Sequence, residues 1–198
     1  MEEQIFHEMI EKDINDLIEL LQSMSGLNSW KEKLANLSGK VYKSFCIAGK
    51  LMIMGNGGSA AQAQHIAAEF INRFMHERRA LPALSLTVDT SNITSISNDY
   101  DFANIFERQI EALGRKGDVL LCLSTSGNSP NIVRALKKAK FMGIYCFSFL
   151  GRGGGLARDY SDDCIIVDSP DTPRIQEVHD LLGHILCRAV EEAVINEK

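Results

Sequence analysis

The chain has no excess of positive charge, no long apolar run and no CxxC pair, and each absence removes a class of function. Its 198 residues carry 21 Lys and Arg against 26 Asp and Glu, a net charge of -5. A nucleic-acid surface needs clustered cations to neutralise phosphates. No basic run here exceeds a few residues, and Glu77-Arg78-Arg79 reads as a solvated loop. The longest apolar runs, such as Val119 to Leu123, are far too short to span a bilayer. The opening Met-Glu-Glu-Gln is acidic, unlike the start of a secretory signal, so a cytoplasmic protein with neither membrane nor nucleic-acid partner is expected. Cys46, Cys122, Cys146, Cys164 and Cys187 are odd in number, scattered and mostly set in apolar segments. They fit neither a zinc or redox pair nor a secreted scaffold, and read as buried thiols.

What is present is enough apolar content, 45%, for one well-packed domain. Residues 1–49 read as two amphipathic helices, the first with Ile5, Met9, Ile10, Ile14, Leu17, Ile18 and Leu21 at helical spacing. Two such helices exceed what one core needs, so part of this surface is expected to meet another subunit. Residues 50–198 alternate short apolar runs with helical periods. The strands expected are Leu51 to Met54, Ala83 to Val88, Val119 to Leu123, Ile144 to Phe149 and Cys164 to Val167. Helices are expected near Ser59 to Met75, Phe102 to Leu113, Ser129 to Phe141, Gly155 to Tyr160 and Pro173 to Asn196. Continuously apolar strands between helices predict an α/β domain with a parallel sheet covered on both faces.

Polar turns follow three of these strands, where open parallel sheets bind ligands. Gly55-Asn56-Gly57-Gly58-Ser59 is either a tight turn or a place where backbone N–H groups approach a ligand, with Asn56 adding an amide. Ser124-Thr125-Ser126-Gly127-Asn128-Ser129 leads into a helix with Pro130 at its first position. Its hydroxyls and the helix N-terminus suit a phosphate without any lysine, and no Gly-Lys-Ser/Thr follows to make it a Walker loop. The segment Asp89 to Asp101 reads as a polar loop in which Asn98 and Asp99 suit sugar hydroxyls.

His65 and Glu69, four apart, share one helix face. On spacing alone they are a surface hydrogen-bonded pair or half of a metal site. Gln176 and His184 are eight apart on the last helix, offset by about 80° around its axis. Either both line a wide cleft or one lies off the site, and His179 competes with them.

Taken in order, Gly55 to His65, Ser124 to Ser129 and Arg174-Ile175-Gln176-Glu177-Val178-His179 resemble the phosphoheptose isomerases of the sugar isomerase (SIS) domain superfamily. The resemblance runs from about residue 40 to 190. It implies a single SIS domain over 1–198, a three-layer sandwich with a five-stranded parallel sheet flanked by helices and an N-terminal helical extension. It implies conversion of sedoheptulose 7-phosphate to D-glycero-D-manno-heptose 7-phosphate, the first step toward nucleotide-activated heptose for bacterial surface polysaccharide, by a homotetramer. By the same likeness Glu69 and His184 are the acid/base residues. His65, Glu69, Gln176 and His184 are ligands of a Zn2+ ion, one per subunit. Asn56, Gly57, Gly58, Arg73, Asn98, Asp99 and Gln176 contact the sugar, and Ser124, Thr125, Ser126 and Ser129 the phosphate. One position that is acidic in some members is Pro173 here. The chain also resembles a non-catalytic SIS-domain tetramer that binds the bacterial replication initiator, through Phe70-Ile71-Asn72-Arg73-Phe74 and Leu81-Pro82-Ala83. That group typically lacks proton-transfer residues at the positions of Glu69 and His184, and often has Arg in place of Ser126. The presence of all three residues favours the enzyme.

Overall fold

The computed structural model describes residues 2–197. Two helices, α1 (Glu2–Ser25) and α2 (Ser29–Cys46), precede the first strand, β1 (Leu51–Gly55). Then come α3 (Gly58–Ile71), β2 (Ala83–Ser85), α4 (Thr90–Asp99), a 3-10 turn at Phe102–Asn104 and α5 (Ile105–Leu113). The chain closes with β3 (Val119–Ser124), α6 (Pro130–Phe141), β4 (Tyr145–Gly151), α7 (Gly155–Tyr160), β5 (Asp163–Val167) and α8 (Thr172–Ile195). All five strands are parallel, in the order β2-β1-β3-β4-β5. This is the five-stranded parallel sheet between helices that the sequence predicts.

The strands are continuously apolar because each face meets its own core. Leu51 and Ile53 of β1 and Val119, Leu121 and Leu123 of β3 pack with α2, α3 and α8. Met52, Met54, Leu120 and Cys122 face the opposite way, against α5 and α6. Only the C-terminal part of α1 joins the core, through Leu17, Leu20, Leu21 and Met24. Its apolar stripe of Ile5, Phe6, Met9, Ile10, Ile14 and Ile18 is exposed. Cys122, Cys146, Cys164 and Cys187 are buried as expected, and Cys46 is exposed. No helix among the described residues is long and apolar enough to cross a membrane.

Three elements differ most from the sequence reading. The polar loop expected after β2 is the helix α4. Its Ser, Thr and Asn content disfavours a helix, but the Asp89 carboxylate accepts from the Asn92 N–H at 3.0 Å, and Ile93 and Ile96 pack on the core. The strand expected to reach Val88 is three residues long, an edge strand that ends where Ser85 and Thr87 join their hydroxyls at 2.8 Å. The helix expected to reach Met75 stops at Ile71, and Arg78 closes its end.

Candidate active site

The sheet order puts β1 and β3 side by side while their chains cross over to opposite edges, and at such a switch point the strand ends leave a crevice. A cavity of about 240 Å³ lies there, lined by Asn56, Gly58 and Ser59 after β1, Leu123 and Ser124 at the end of β3, Thr125, Ser126 and Ser129 after it, and Thr172 and Gln176 from α8. Three helices begin at its wall: α3 at Gly58, α6 just after Ser129 and α8 at Thr172. Their positive dipole ends meet at this cavity, which favours an anion although no Lys or Arg lines it.

The serine turn is fixed from within. The Ser124 hydroxyl oxygen accepts from the Gly127 N–H at 3.0 Å, and that of Ser126 from the Asn128 N–H at 3.2 Å. Each keeps its own O–H to donate to a ligand. The Gly127 carbonyl accepts from the Ala157 N–H at 2.8 Å and the Asn128 side-chain oxygen from the Leu156 N–H at 3.0 Å, so α7 braces the turn from outside. On the glycine side, Gly57 has φ +54, open to glycine alone without strain. The Asn56 and Asn131 amides pair reciprocally at 3.0 and 2.8 Å, which sets the Asn56 amide.

A second cluster stands further along α3 and α8. His65 Nε2 lies 3.2 Å from Glu69 Oε1 and 3.4 Å from His184 Nε2, and the Phe74 ring stacks on His184 with centroids 5.6 Å apart. A hydrogen on His65 Nε2 points between a carboxylate and the other imidazole's lone pair. Removing it leaves lone pairs facing one another. Tetrahedral zinc with bonds of about 2.1 Å sets its donors about 3.4 Å apart, so the donor types and the two separations from His65 suit the ion. No three His, Cys, Asp or Glu side chains among the described residues enclose a common point, however. The Gln176 amide lies apart, so close to Gly58 that a Cβ there would meet its Nε2 at 2.5 Å.

The structure thus brings Asn56, Gly58, Ser124, Thr125, Ser126, Ser129 and Gln176 to one cavity, with Gly57 beside them, and gathers His65, Glu69 and His184 in a neighbouring cluster. It leaves three expected residues outside both. Asn98 and Asp99 are hydrogen-bonded to each other at 2.9 Å, and Asp99 lines a separate cavity of about 430 Å³ with Tyr100 and Arg108. Arg73 lies past the end of α3, 3.9 Å from Glu77. His179 is removed as a candidate: it is fully buried, its Nε2–H donates to the Leu150 carbonyl at 3.3 Å, and burial pulls it down to about 4. Glu77-Arg78-Arg79 is not simply a solvated loop, because the Arg78 side chain is 3% exposed and lies 3.2 Å from Glu191. The sequence reading missed Thr172, whose signal was its place just before Pro173 at the start of α8.

A protein-family model described as the SIS domain matches residues 14–151. A phosphoheptose isomerase of Clostridium acetobutylicum is 49% identical over 189 residues, 96% of this chain and 96% of that one. Among solved structures, a phosphoheptose isomerase from Neisseria gonorrhoeae is similar with TM-score 0.87 and 37% identity, covering 94% of this chain and 99% of the other. One from Francisella tularensis has TM-score 0.87 and 32% identity, covering 93% and 97%.

Proposed function

The chain belongs to the phosphoheptose isomerases of the SIS-domain family, and from that premise we propose that it converts sedoheptulose 7-phosphate to D-glycero-D-manno-heptose 7-phosphate through an enediol. The product would enter nucleotide-activated heptose synthesis for bacterial surface polysaccharide, in the cytoplasm. One observation carries the substrate reading: the spacing of two chemistries along α3. The anion cavity begins at Gly58 and the proton-transfer cluster at His65, seven helical residues or about 10 Å further on. A seven-carbon ketose carries its phosphate on C7 and its carbonyl on C2, at opposite ends. The hydroxyls of Ser124, Thr125, Ser126 and Ser129 and the three helix ends hold the phosphate. Asn56, Gly57, Gly58 and Gln176 meet the sugar chain. Arg73, Asn98 and Asp99 remain proposed sugar contacts on the family likeness alone.

Moving the carbonyl from C2 to C1 removes a proton from C1, delivers one to C2 and transfers one between the two oxygens. Glu69 engages His65 through Oε1, leaving its other carboxylate oxygen to take the C1 proton and return it to C2. In this reading His184, held against Phe74, moves the proton between O1 and O2. We propose one Zn2+ per subunit on His65, Glu69 and His184, with Gln176 as fourth donor once its amide leaves Gly58. Bound there, it would polarise the sugar oxygens. A homotetramer is proposed as the working form. Replacement of Glu69 or His184 by Gln is expected to lower the isomerisation rate by about 100-fold or more. Rates near wild type in both variants would refute the assignment.

A further inference from the structure

A carboxylate and a guanidinium lie buried beneath the proton-transfer cluster. The Glu191 side chain is 1% exposed and that of Arg78 is 3% exposed, with Oε1 and Nε 3.2 Å apart. Removing two charges from water costs more than well-packed apolar residues would, so such a pair calls for a reason beyond filling space.

Each partner reaches one side of the cluster. Arg78 donates from Nη2 to the Glu69 carbonyl at 2.7 Å, and from Nη1 to the carbonyls of Phe70, Asn72 and Arg79 at 2.9, 3.2 and 3.0 Å. Glu69 stands in the last turn of α3, where carbonyls have no intrahelical donor and the helix dipole is negative. The guanidinium supplies the missing donors and the opposite charge. Glu191 accepts the N–H groups of Phe74, Met75 and His76 at 2.9, 2.8 and 3.1 Å. That fixes the backbone carrying Phe74, whose ring stacks on His184 at 30°. His184 and Glu191 also share α8, seven residues apart. One ion pair therefore ties the Glu69 backbone, the Phe74 backbone and the helix bearing His184 into a single frame.

We propose that Arg78 and Glu191 are positioning residues for the isomerisation, setting where Glu69 and His184 stand relative to each other. The proposal rests on the assignment of those two residues to proton transfer. A misplacement of about 1 Å costs up to ~100-fold in rate, so the frame acts on kcat, while the phosphate cavity at the far end of α3 keeps KM.

The test is steady-state isomerisation of sedoheptulose 7-phosphate by the full chain carrying Arg78→Met with Glu191→Leu. The double change leaves no lone buried charge behind. The expected result is a cooperative melt at a lower midpoint than wild type, since backbone groups lose their partners, with kcat of the folded protein lowered about tenfold or more and KM within about twofold. Restoring charge with Arg78→Lys alone, beside native Glu191, is expected to recover part of kcat. A folded double variant with wild-type kcat overturns the proposal, and so does a kcat loss that merely tracks the unfolded fraction. Should the double variant not fold, Arg78→Lys alone keeps the buried charge and removes the guanidinium fork from the Glu69 and Phe70 carbonyls. A fall in kcat of about threefold or more at unchanged KM supports the proposal, and wild-type kcat overturns it. Glu69→Gln runs alongside: wild-type turnover there removes the acid/base reading and this inference with it. Loss of turnover there beside an unaffected double variant removes this inference alone.

Discussion

Gly127 shapes the serine turn and Gly58 lines the anion cavity, and a methyl group added to each meets something different. At Gly127, φ +65 is strained for any other residue and a Cβ would fall 1.9 Å from the Gly154 carbonyl oxygen. At Gly58 it would meet the far end of the Gln176 side chain, which can swing away. Gly127→Ala is therefore expected to cost about 2 kcal/mol or more in urea unfolding. Gly58→Ala should leave the unfolding free energy within about 1 kcal/mol of wild type while raising KM, because it displaces the amide proposed to meet the sugar. Equal stability losses in the two variants would contradict this distinction. At this scale the serines and glycines of the cavity were legible in the sequence, since turn chemistry is local. Arg78 was not: its partner Glu191 lies on the last helix, and nothing near Glu77-Arg78-Arg79 announces a buried pair.

Among the elements, α8 does most to join the parts. It opens at the anion cavity with Thr172 and Gln176, carries His184 in the second cluster, and ends beneath it with Glu191. Between these it buries His179, whose pKa burial pulls from its ordinary 6.5 to about 4. Because the folded value is the lower one, the stability tied to the neutral imidazole is complete above 6.5. It is lost as pH falls toward 4, up to about 3 kcal/mol. Glu191 adds to the loss below 4.5. Burial would raise its carboxyl, but the N–H groups of Met75, Phe74 and His76 and the Arg78 charge hold it below that ordinary value. Urea midpoints of wild type should therefore drop between pH 6.5 and 4.5, and His179→Leu should flatten that slope. An unchanged slope would mean that another group carries it. Element types were largely legible from apolar periodicity. The helix α4 was not, because its composition opposes a helix and only the Asp89 cap and the packing of Ile93 and Ile96 make one.

For the whole molecule, the order β2-β1-β3-β4-β5 decides where the candidate site sits, since it places the switch point between the glycine turn and the serine turn. Strand order is a property of crossovers, and the sequence reading reached strands and turns without it. The exposed stripe on α1 belongs to this scale as well. Ile5, Phe6, Met9, Ile10, Ile14 and Ile18 are more apolar surface than a free helix leaves in water, and fit the proposed tetramer. Ile10→Asp with Ile14→Asp is expected to lower the mass seen by size exclusion with light scattering, whereas an unchanged mass would place the interface elsewhere. The roles proposed for these residues all serve one reaction, and NMR of sedoheptulose 7-phosphate incubated with the chain follows it directly, with chelator and with added zinc in parallel. The expected result is a heptose 7-phosphate signal from wild type, diminished by chelator, restored by zinc and absent from Glu69→Gln. No conversion by the folded protein under any of these conditions would contradict it.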